Sequence, residues 1–498
     1  MGQNSILLVT VDCLRADHVS FAGYCRPTTP FLHSLGGESF VFPQAIAAGM
    51  PTYYSLPALL ASRSPLALGR DVLGIAPDEP TLASALRKAG YATAAFTAAN
   101  PYISKRFGYE QGFDAFHNFL DDAPPQVERL AQNISESGPG SRINRKLQDA
   151  TAMFGPFRAL YNELYFQYCQ RTTPVPDSSD ALRPFPAADV IVDRACEWLA
   201  GLGDSPFFLW LHFMDPHSPY YPKAEAAAGM GDEALSPFQA RYWNSYWNRS
   251  DLTARRLLRC REKISRLYDA GIRWVDDQIG RLAGVLRESG QWQRCVFAVT
   301  ADHGEEFLDH GGRYHPPSQL SEELIHVPLL LRVPGVPKKL LPESPVSLLD
   351  LAPTLLAAAA QPIPAEFQGR NLWSEIAEGR TDDRPVISEC VAGCTNPLRM
   401  KNRFGARILA VREKQFKLVL YFDSGQEKLY DLASDPGEEK PVPPGLLIPV
   451  RRRLLETARE HLQRSNRWAS DSRLRMRAQI RDLRSVAIPL PAGAQAIS

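Results

Sequence analysis

The sequence predicts an α/β protein: a large mixed, mostly parallel sheet flanked by helices, followed by a small carboxy-terminal antiparallel sheet with one helix. Three observations predict it. Compact apolar runs at 5–11, 207–213 and 295–299 have the length and the β-branched or aromatic content of buried parallel strands. Between them, stretches such as 251–290 place apolar residues at helical spacing among charges. From about residue 400 the pattern turns to short alternating runs, 406–411, 416–422 and 428–430, which read as antiparallel strands ahead of a helix over 450–464.

Length and composition bound the rest. At 498 residues the chain can bury a large core, and the reading divides it into a main domain over 1–400, a small α+β subdomain over 401–470 and a basic, flexible tail over 471–498. The formal charge of +1 gives no reason to expect nucleic acid or an anionic membrane as a partner. Eight Cys are scattered without a C-x-x-C pair, and Cys13, Cys196 and Cys295 sit in patterns where a thiol acts as a small buried hydrophobe. The first strand begins near residue 5, leaving no room for a leader, and no run of ~18 apolar residues occurs. The expectation is a cytoplasmic protein with reduced thiols and no membrane anchor.

The first strand ends on Asp12, and the run at 295–299 leads through Thr300 and Ala301 into Asp302-His303-Gly304-Glu305-Glu306. In open α/β sheets, ligands bind beyond the carboxyl ends of strands. A carboxylate beside an imidazole there reads as half of a metal site or as a helix cap, and Asp12 carries the same two readings. Arg15 and Asp17 read as structural partners in the turn that follows. A second strand-like run covers 40–42. Pro51 then precedes an apolar helical pattern, which makes Thr52 the cap or first residue of a helix, with its hydroxyl beside backbone N–H groups suited to an oxyanion. Residues 121–185 form a Pro/Ser-rich and aromatic insertion, read as a lid, an interaction surface or plain helix packing. The strand at 207–213 leads into Asp215-Pro216-His217, and His212 inside it reads as a satisfied core residue.

In order, the strand-Asp, the hydroxyl opening a helix that closes on Ala58-Leu59-Leu60-Ala61-Ser62, and the strand-Asp-His-Gly-Glu resemble the sulfatase branch of the alkaline phosphatase superfamily. Gly90-Tyr91-Ala92-Thr93, Gln111-Gly112-Phe113-Asp114, Asp215-Pro216-His217-Ser218-Pro219-Tyr220, His326-Val327-Pro328-Leu329 and Leu429-Tyr430-Asp431-Leu432 continue the pattern over about residues 5–440. The resemblance implies an alkaline phosphatase-like fold and one divalent metal ion, Mn, Zn, Ca or Mg, held by Asp12, Thr52, Asp302 and His303. A His in the set disfavours Mg²⁺ and Ca²⁺. It places His217 against the ester or its leaving group, and a cationic or imidazole group about a dozen residues beyond the Asp-His pair. His315 fits that place best, then Arg313, then His310, whose other reading is a loop-stabilising hydrogen bond. Asn100, after the strand-like run at 94–97, is a further substrate contact.

One departure sets the chain apart. The family's sulfatases carry Cys or Ser in a C/S-x-P-x-R motif that is oxidised to formylglycine, and here Thr52-Tyr53-Tyr54-Ser55-Leu56 stands in its place. An aldehyde hydrate can expel sulfate by collapsing to the aldehyde. A Thr ester has no such exit and must be hydrolysed, which suits phosphoryl transfer, and relatives with Thr here include phosphoglycerol and phosphoethanolamine transferases. The expected activity is hydrolysis of phosphate mono- or diesters through a metal-activated Thr52, with His217 and His315 assisting. The alternatives are a sulfuric ester hydrolase without formylglycine, a phosphoryl-group transferase and a non-catalytic metal-binding protein. The expected substrate is a small-molecule, glycan-linked or lipid-linked phosphate or sulfate ester.

Overall fold

In the computed structural model, residues 3–69, 72–120, 155–337, 341, 343–378, 383–399 and 403–465 are described. Eight strands form the main sheet: β1 (Ser5–Val11), β2 (Phe40–Ile46), β3 (Ala92–Thr97), β4 (Ala115–His117), β5 (Phe207–Phe213), β6 (Cys295–Ala301), β9 (His326–Arg332) and β10 (Val346–Ser347), in the order β10-β2-β9-β6-β1-β5-β3-β4. Between β6 and β9 lies a two-stranded ribbon of β7 (Glu306–Phe307) and β8 (Arg313–Tyr314). Only β9 runs against the others. Every residue of β1, β5 and β6 is buried, as continuous apolar runs covered on both faces require.

Register is what builds the site. Val11 of β1 stands beside Phe213 of β5 and Ala301 of β6, so the chain leaves all three strands at one level. Asp12, Met214 and Asp302 are therefore the first residues beyond a shared edge. β3 joins the same edge, with Thr97 beside His212. The run expected at 40–42 extends to Ile46, and its pairing with β9 shifts register between Phe42 and Ala45, where Pro43 has no N–H to offer the ladder.

Four helices bear on function: α1 (Thr52–Ala61), α2 (Gly155–Thr172), α3 (Ala188–Ala200) and α4 (Ala254–Glu288). The expected set of helices over 251–290 is one 35-residue helix, α4, whose buried Leu257, Cys260, Ile264, Leu267, Ile272, Val275, Ile279, Leu282 and Leu286 form a single stripe. α4 packs on α3, whereas α1 packs with helices Leu82–Lys88 and Leu351–Ala358, and the two groups flank the sheet. Of the expected insertion, α2 is a helix that exposes Leu160, Leu164 and Tyr168, and the remainder over 121–154 lies outside the described residues.

The carboxy-terminal sheet has four antiparallel strands, β11 (Val386–Val391), β12 (Arg407–Glu413), β13 (Phe416–Tyr421) and β14 (Gln426–Asp431), followed by a helix over 448–465. It takes in β11, ahead of the expected boundary at 401, because the change in composition marks the hairpins and not the strand that leads into them. The tail 471–498 lies outside the described residues. The sheet docks on the segment before α1: Glu389 N–H donates to Ala48 O at 3.0 Å and the Ser388 hydroxyl to Ala47 O at 2.5 Å. No helix among the described residues is long and apolar enough to cross a membrane.

Candidate active site

Asp12, Asp302 and His303 are fully buried, and Thr52, the first residue of α1, is 5 % exposed beside them. Thr52 Oγ1 lies 3.3 Å from His303 Nε2 and 3.4 Å from Asp12 Oδ2. His303 Nε2 is 3.5 Å from Asp302 Oδ2 and 3.8 Å from Asp12 Oδ1. Its Nδ1 faces Gly304 O at 2.8 Å, which leaves Nε2 aimed into the cluster. Gly304 is needed here because a Cβ would stand 2.0 Å from Glu323 O, where the loop is tied to residues 323 and 324. Asn100 Nδ2 donates to Asp12 Oδ2 at 3.2 Å, so the Asn100 expected to meet substrate stands in the cluster.

His212 corrects the sequence reading. It is fully buried, its Nδ1 faces Thr10 Oγ1 at 2.9 Å, and its Nε2 points at Asp12 Oδ2 across 3.4 Å with no hydrogen-bond partner. It is therefore part of the polar cluster and not a satisfied core residue. A signal was present: Thr10, Thr97, His212 and Thr300 are polar intrusions near the ends of otherwise apolar strands, and register brings Thr10 beside His212 and Thr300, and Thr97 beside His212. Cys13 and Glu305 were missed as well. The Cys13 thiol is 3.1 Å from Asp12 Oδ1 and 3.3 Å from His315 Nδ1, and the Cys13 N–H donates to Asp302 Oδ1 at 3.3 Å. Glu305 Oε2 holds His315 Nδ1 at 2.9 Å, and its other oxygen accepts the Tyr220 hydroxyl at 2.5 Å.

The rings of His217 and His315 are 5.2 Å apart, and those of His315 and His303 are 4.7 Å apart. His217 rides on a loop anchored by Asp215, which accepts from Arg183 Nη2 at 2.5 Å and from the Ala188 N–H at the start of α3. Gly271 of α4 lets that loop close on the helix, since a Cβ there would meet Asp215 O at 2.7 Å.

Two expected substrate contacts are not brought to this cluster. Arg313 Nη1 donates to the carbonyls of Trp247 and Arg249, and its guanidinium lies over the Trp247 ring. His310 Nδ1 pairs with Glu323 Oε1 at 2.7 Å, and Glu323 pushes the imidazole up to about 9. In this structure both side chains are paired with protein groups away from the cluster.

Burial pushes the Asp12 carboxyl up, but His212, His217 and His303 outweigh it and hold Asp12 well below the usual carboxylate range. Burial and the charge on Asp12 push Asp302 up. Burial also pulls His315 down, and Glu305 more than reverses this. Asp302 Oδ2 has no hydrogen-bond partner. Two buried carboxylates with an orphan oxygen, an inward-facing imidazole and a hydroxyl form a donor set that a divalent cation fits, as lone buried carboxylates otherwise carry a desolvation cost.

Fold and site together define an α/β protein with a cluster of groups that a divalent cation would fit where the central strands of its sheet end. Residues 4–361 match the sulfatase family, and residues 313–444 match the N-sulphoglucosamine sulphohydrolase carboxy-terminal region. The chain belongs to the sulfatase family. It is 29 % identical to arylsulfatase K of Bos taurus over 282 residues, 49 % of this chain and 50 % of that protein. The chain thus spans about half the length of these first curated relatives. An arylsulfatase of Clostridium perfringens is 25 % identical over 87 % of this chain and 89 % of its own. Among solved structures, the phosphonate monoester hydrolase of Agrobacterium radiobacter superposes with a TM-score of 0.62 at 18 % identity, covering 94 % of this chain and 96 % of that one. A putative sulfatase from Bacteroides fragilis gives 0.65 at 17 %, covering 94 % and 97 %.

Proposed function

We propose that this protein hydrolyses phosphate mono- or diesters through Thr52, with a divalent cation held by Asp12, Thr52, Asp302 and His303. The observation that carries this reading is the seat of the Thr52 hydroxyl, between His303 Nε2 at 3.3 Å and Asp12 Oδ2 at 3.4 Å on the first residue of a helix. A cation bound there supplies the stabilisation that lets a hydroxyl ionise near neutral pH, and it neutralises charge on the transferring group. Thr52 Oγ attacks phosphorus and the bond to the leaving oxygen breaks. That oxygen departs towards His217 and His315, whose imidazoles can deliver its proton, an assistance typically of ~10²–10⁴-fold. Water then attacks the phosphorylated Thr52, returning the hydroxyl and releasing phosphate from a monoester substrate or a phosphate monoester from a diester. Asn100 holds the Asp12 carboxylate in place, and the amino end of α1, which opens at Thr52, would favour the negative charge of a bound ester.

A second reading, sulfate-ester hydrolysis, is favoured by the names of the arylsulfatase relatives, and one solved neighbour is described as a glycosaminoglycan 2-O-sulfatase. The residue at 52 favours phosphorus, because a Thr sulfate has no carbonyl-forming collapse to release it. The substrate in either case is a small-molecule, glycan-linked or lipid-linked ester.

Thr52→Ala is expected to lose at least about 10³-fold of turnover on aryl phosphate mono- and diesters, by analogy with other removed nucleophiles. Acid-quenched wild-type protein should carry a phosphoryl group on the Thr52 peptide by mass spectrometry. Full turnover in Thr52→Ala, or faster turnover of aryl sulfate than of every aryl phosphate, would overturn the assignment.

A further inference from the structure

A helix on a protein surface ordinarily turns its apolar side inward. Helix α2 does the reverse. Leu160, Leu164 and Tyr168 stand four residues apart, so they form one line along the helix, and they are 57 %, 62 % and 63 % exposed. The side that meets the protein carries polar groups instead. Glu163 Oε2 pairs with Arg249 at 2.8 Å and with Arg256 at 3.1 Å, Gln167 Nε2 donates to the Tyr242 hydroxyl at 3.1 Å, and Gln170 is buried. Phe166 supplies the apolar contact there, edge-on to the rings of Tyr242 and Tyr246. An outward apolar line of this kind marks a surface that something covers.

Charge indicates what covers it. Glu163 is the one carboxylate of α2, and its pairs with Arg249 and Arg256 neutralise it on the inner side. Arg158 and Arg171, near the two ends of the helix, are exposed. So are Arg255 and Arg259 in the first turns of α4, which the Glu163–Arg256 pair holds against α2, and Leu258 between them is 49 % exposed. Among the described residues no carboxylate pairs with any of these four guanidinium groups. The formal charge of +1 conceals the patch because it averages over 498 residues. An apolar line rimmed by arginines suits the headgroup layer of an anionic bilayer, where leucines enter the acyl boundary, tyrosine stays among the headgroups and guanidinium groups meet lipid phosphate and carboxylate. A second copy of the chain suits it less, because a two-fold contact lays the patch on itself and sets these arginines against their counterparts.

We propose that the face centred on Leu160, Leu164 and Tyr168 docks the protein on an anionic lipid surface, with α2 lying in the interface and not crossing it. The test is sedimentation of the full-length protein with vesicles of phosphatidylcholine, alone or mixed with phosphatidylserine. Wild type should pellet with the mixed vesicles and stay in solution with the neutral ones, and added salt should release it. The double variant Leu160→Ser/Leu164→Ser should lose binding. Arg158→Gln/Arg171→Gln should weaken it about 30-fold, at about fivefold for each guanidinium near the surface. These side chains are exposed, so both variants should keep the wild-type melting temperature. Arg87→Gln/Arg194→Gln, on other helices, should bind as wild type does, and an equal loss there would overturn the assignment of this face. Wild type that stays in solution with the mixed vesicles overturns the proposal, as does unchanged binding by the leucine and Arg158/Arg171 variants. So does a dimer in light scattering that Leu160→Ser/Leu164→Ser turns into a monomer, since a second copy would then cover the face. Binding is read without turnover, so these results leave the assignment of Thr52 untouched.

Discussion

At the scale of single residues, two histidines show what spacing along the chain leaves open. His310 follows the Asp302-His303 pair in a Gly-rich loop and reads either as a substrate contact or as a loop-stabilising hydrogen bond, and its ring is paired with Glu323. His212 reads as core, yet its free Nε2 faces Asp12. The difference lies in the tertiary partner, which spacing along the chain does not encode. The family resemblance grouped Asp12, Thr52, Asp302 and His303, and they stand together in the fold because each lies just beyond a strand end or opens a helix. The clamp at His310 predicts a pH signature. Its folded-state value of about 9 exceeds the unfolded 6.5, so the protonated pair stabilises the fold fully below pH 6.5, and the contribution fades as pH rises through 9. His310→Gln should therefore lower the melting temperature at pH 6 and match wild type at pH 10. An unchanged difference across that range would show that charge is not what holds the loop.

At the scale of elements, the strands were the most legible part. Ser5–Val11 and Phe207–Phe213 have the bounds their apolar runs suggest, since a strand buried on both faces must be apolar throughout. Their order in the sheet was not legible from the runs themselves, as period and composition are alike in β1, β5 and β6. The close approach of α4 to the His217 loop was hidden in one glycine. Gly271→Ala would raise the stability of an open helix by ~1 kcal/mol, but here the new Cβ meets Asp215 O at 2.7 Å and the helix must back away. The clash should win: melting temperature falls, and turnover falls with it because the loop carrying His217 shifts. Thermal denaturation beside steady-state kinetics checks both, and a more stable, fully active variant would show that the loop is not pressed on the helix.

At the scale of the molecule, the carboxy-terminal sheet is fastened to the rest by charge as well as by its contact with residues 47 and 48. Lys417 of β13 is fully buried, with Nζ 3.0 Å from Glu322 Oε1 and 2.9 Å from Glu438 Oε1. Removing Lys417 leaves Glu438 buried with only the Glu322 N–H and Glu322 with only Arg412 Nε, 3.8 Å away, so Lys417→Met should destabilise the protein by about 3–5 kcal/mol in chemical denaturation. A cost under ~1 kcal/mol would mean that the two glutamates find water or another cation. The sheet itself was legible as alternating runs. Its dock was not, because apart from the Ser388 hydroxyl the contact joins main-chain groups that any residue would supply. The central position of β1 has a consequence in time. Its neighbours β5 and β6 follow about 200 and 290 residues later, and at ~5–20 residues per second of synthesis that is on the order of 10–60 s. For that interval an apolar strand, and the Asp12 it carries, has no sheet to join. A cell making this protein must keep that segment from pairing with other chains, and slowed synthesis between residues 12 and 207 should raise the aggregated fraction.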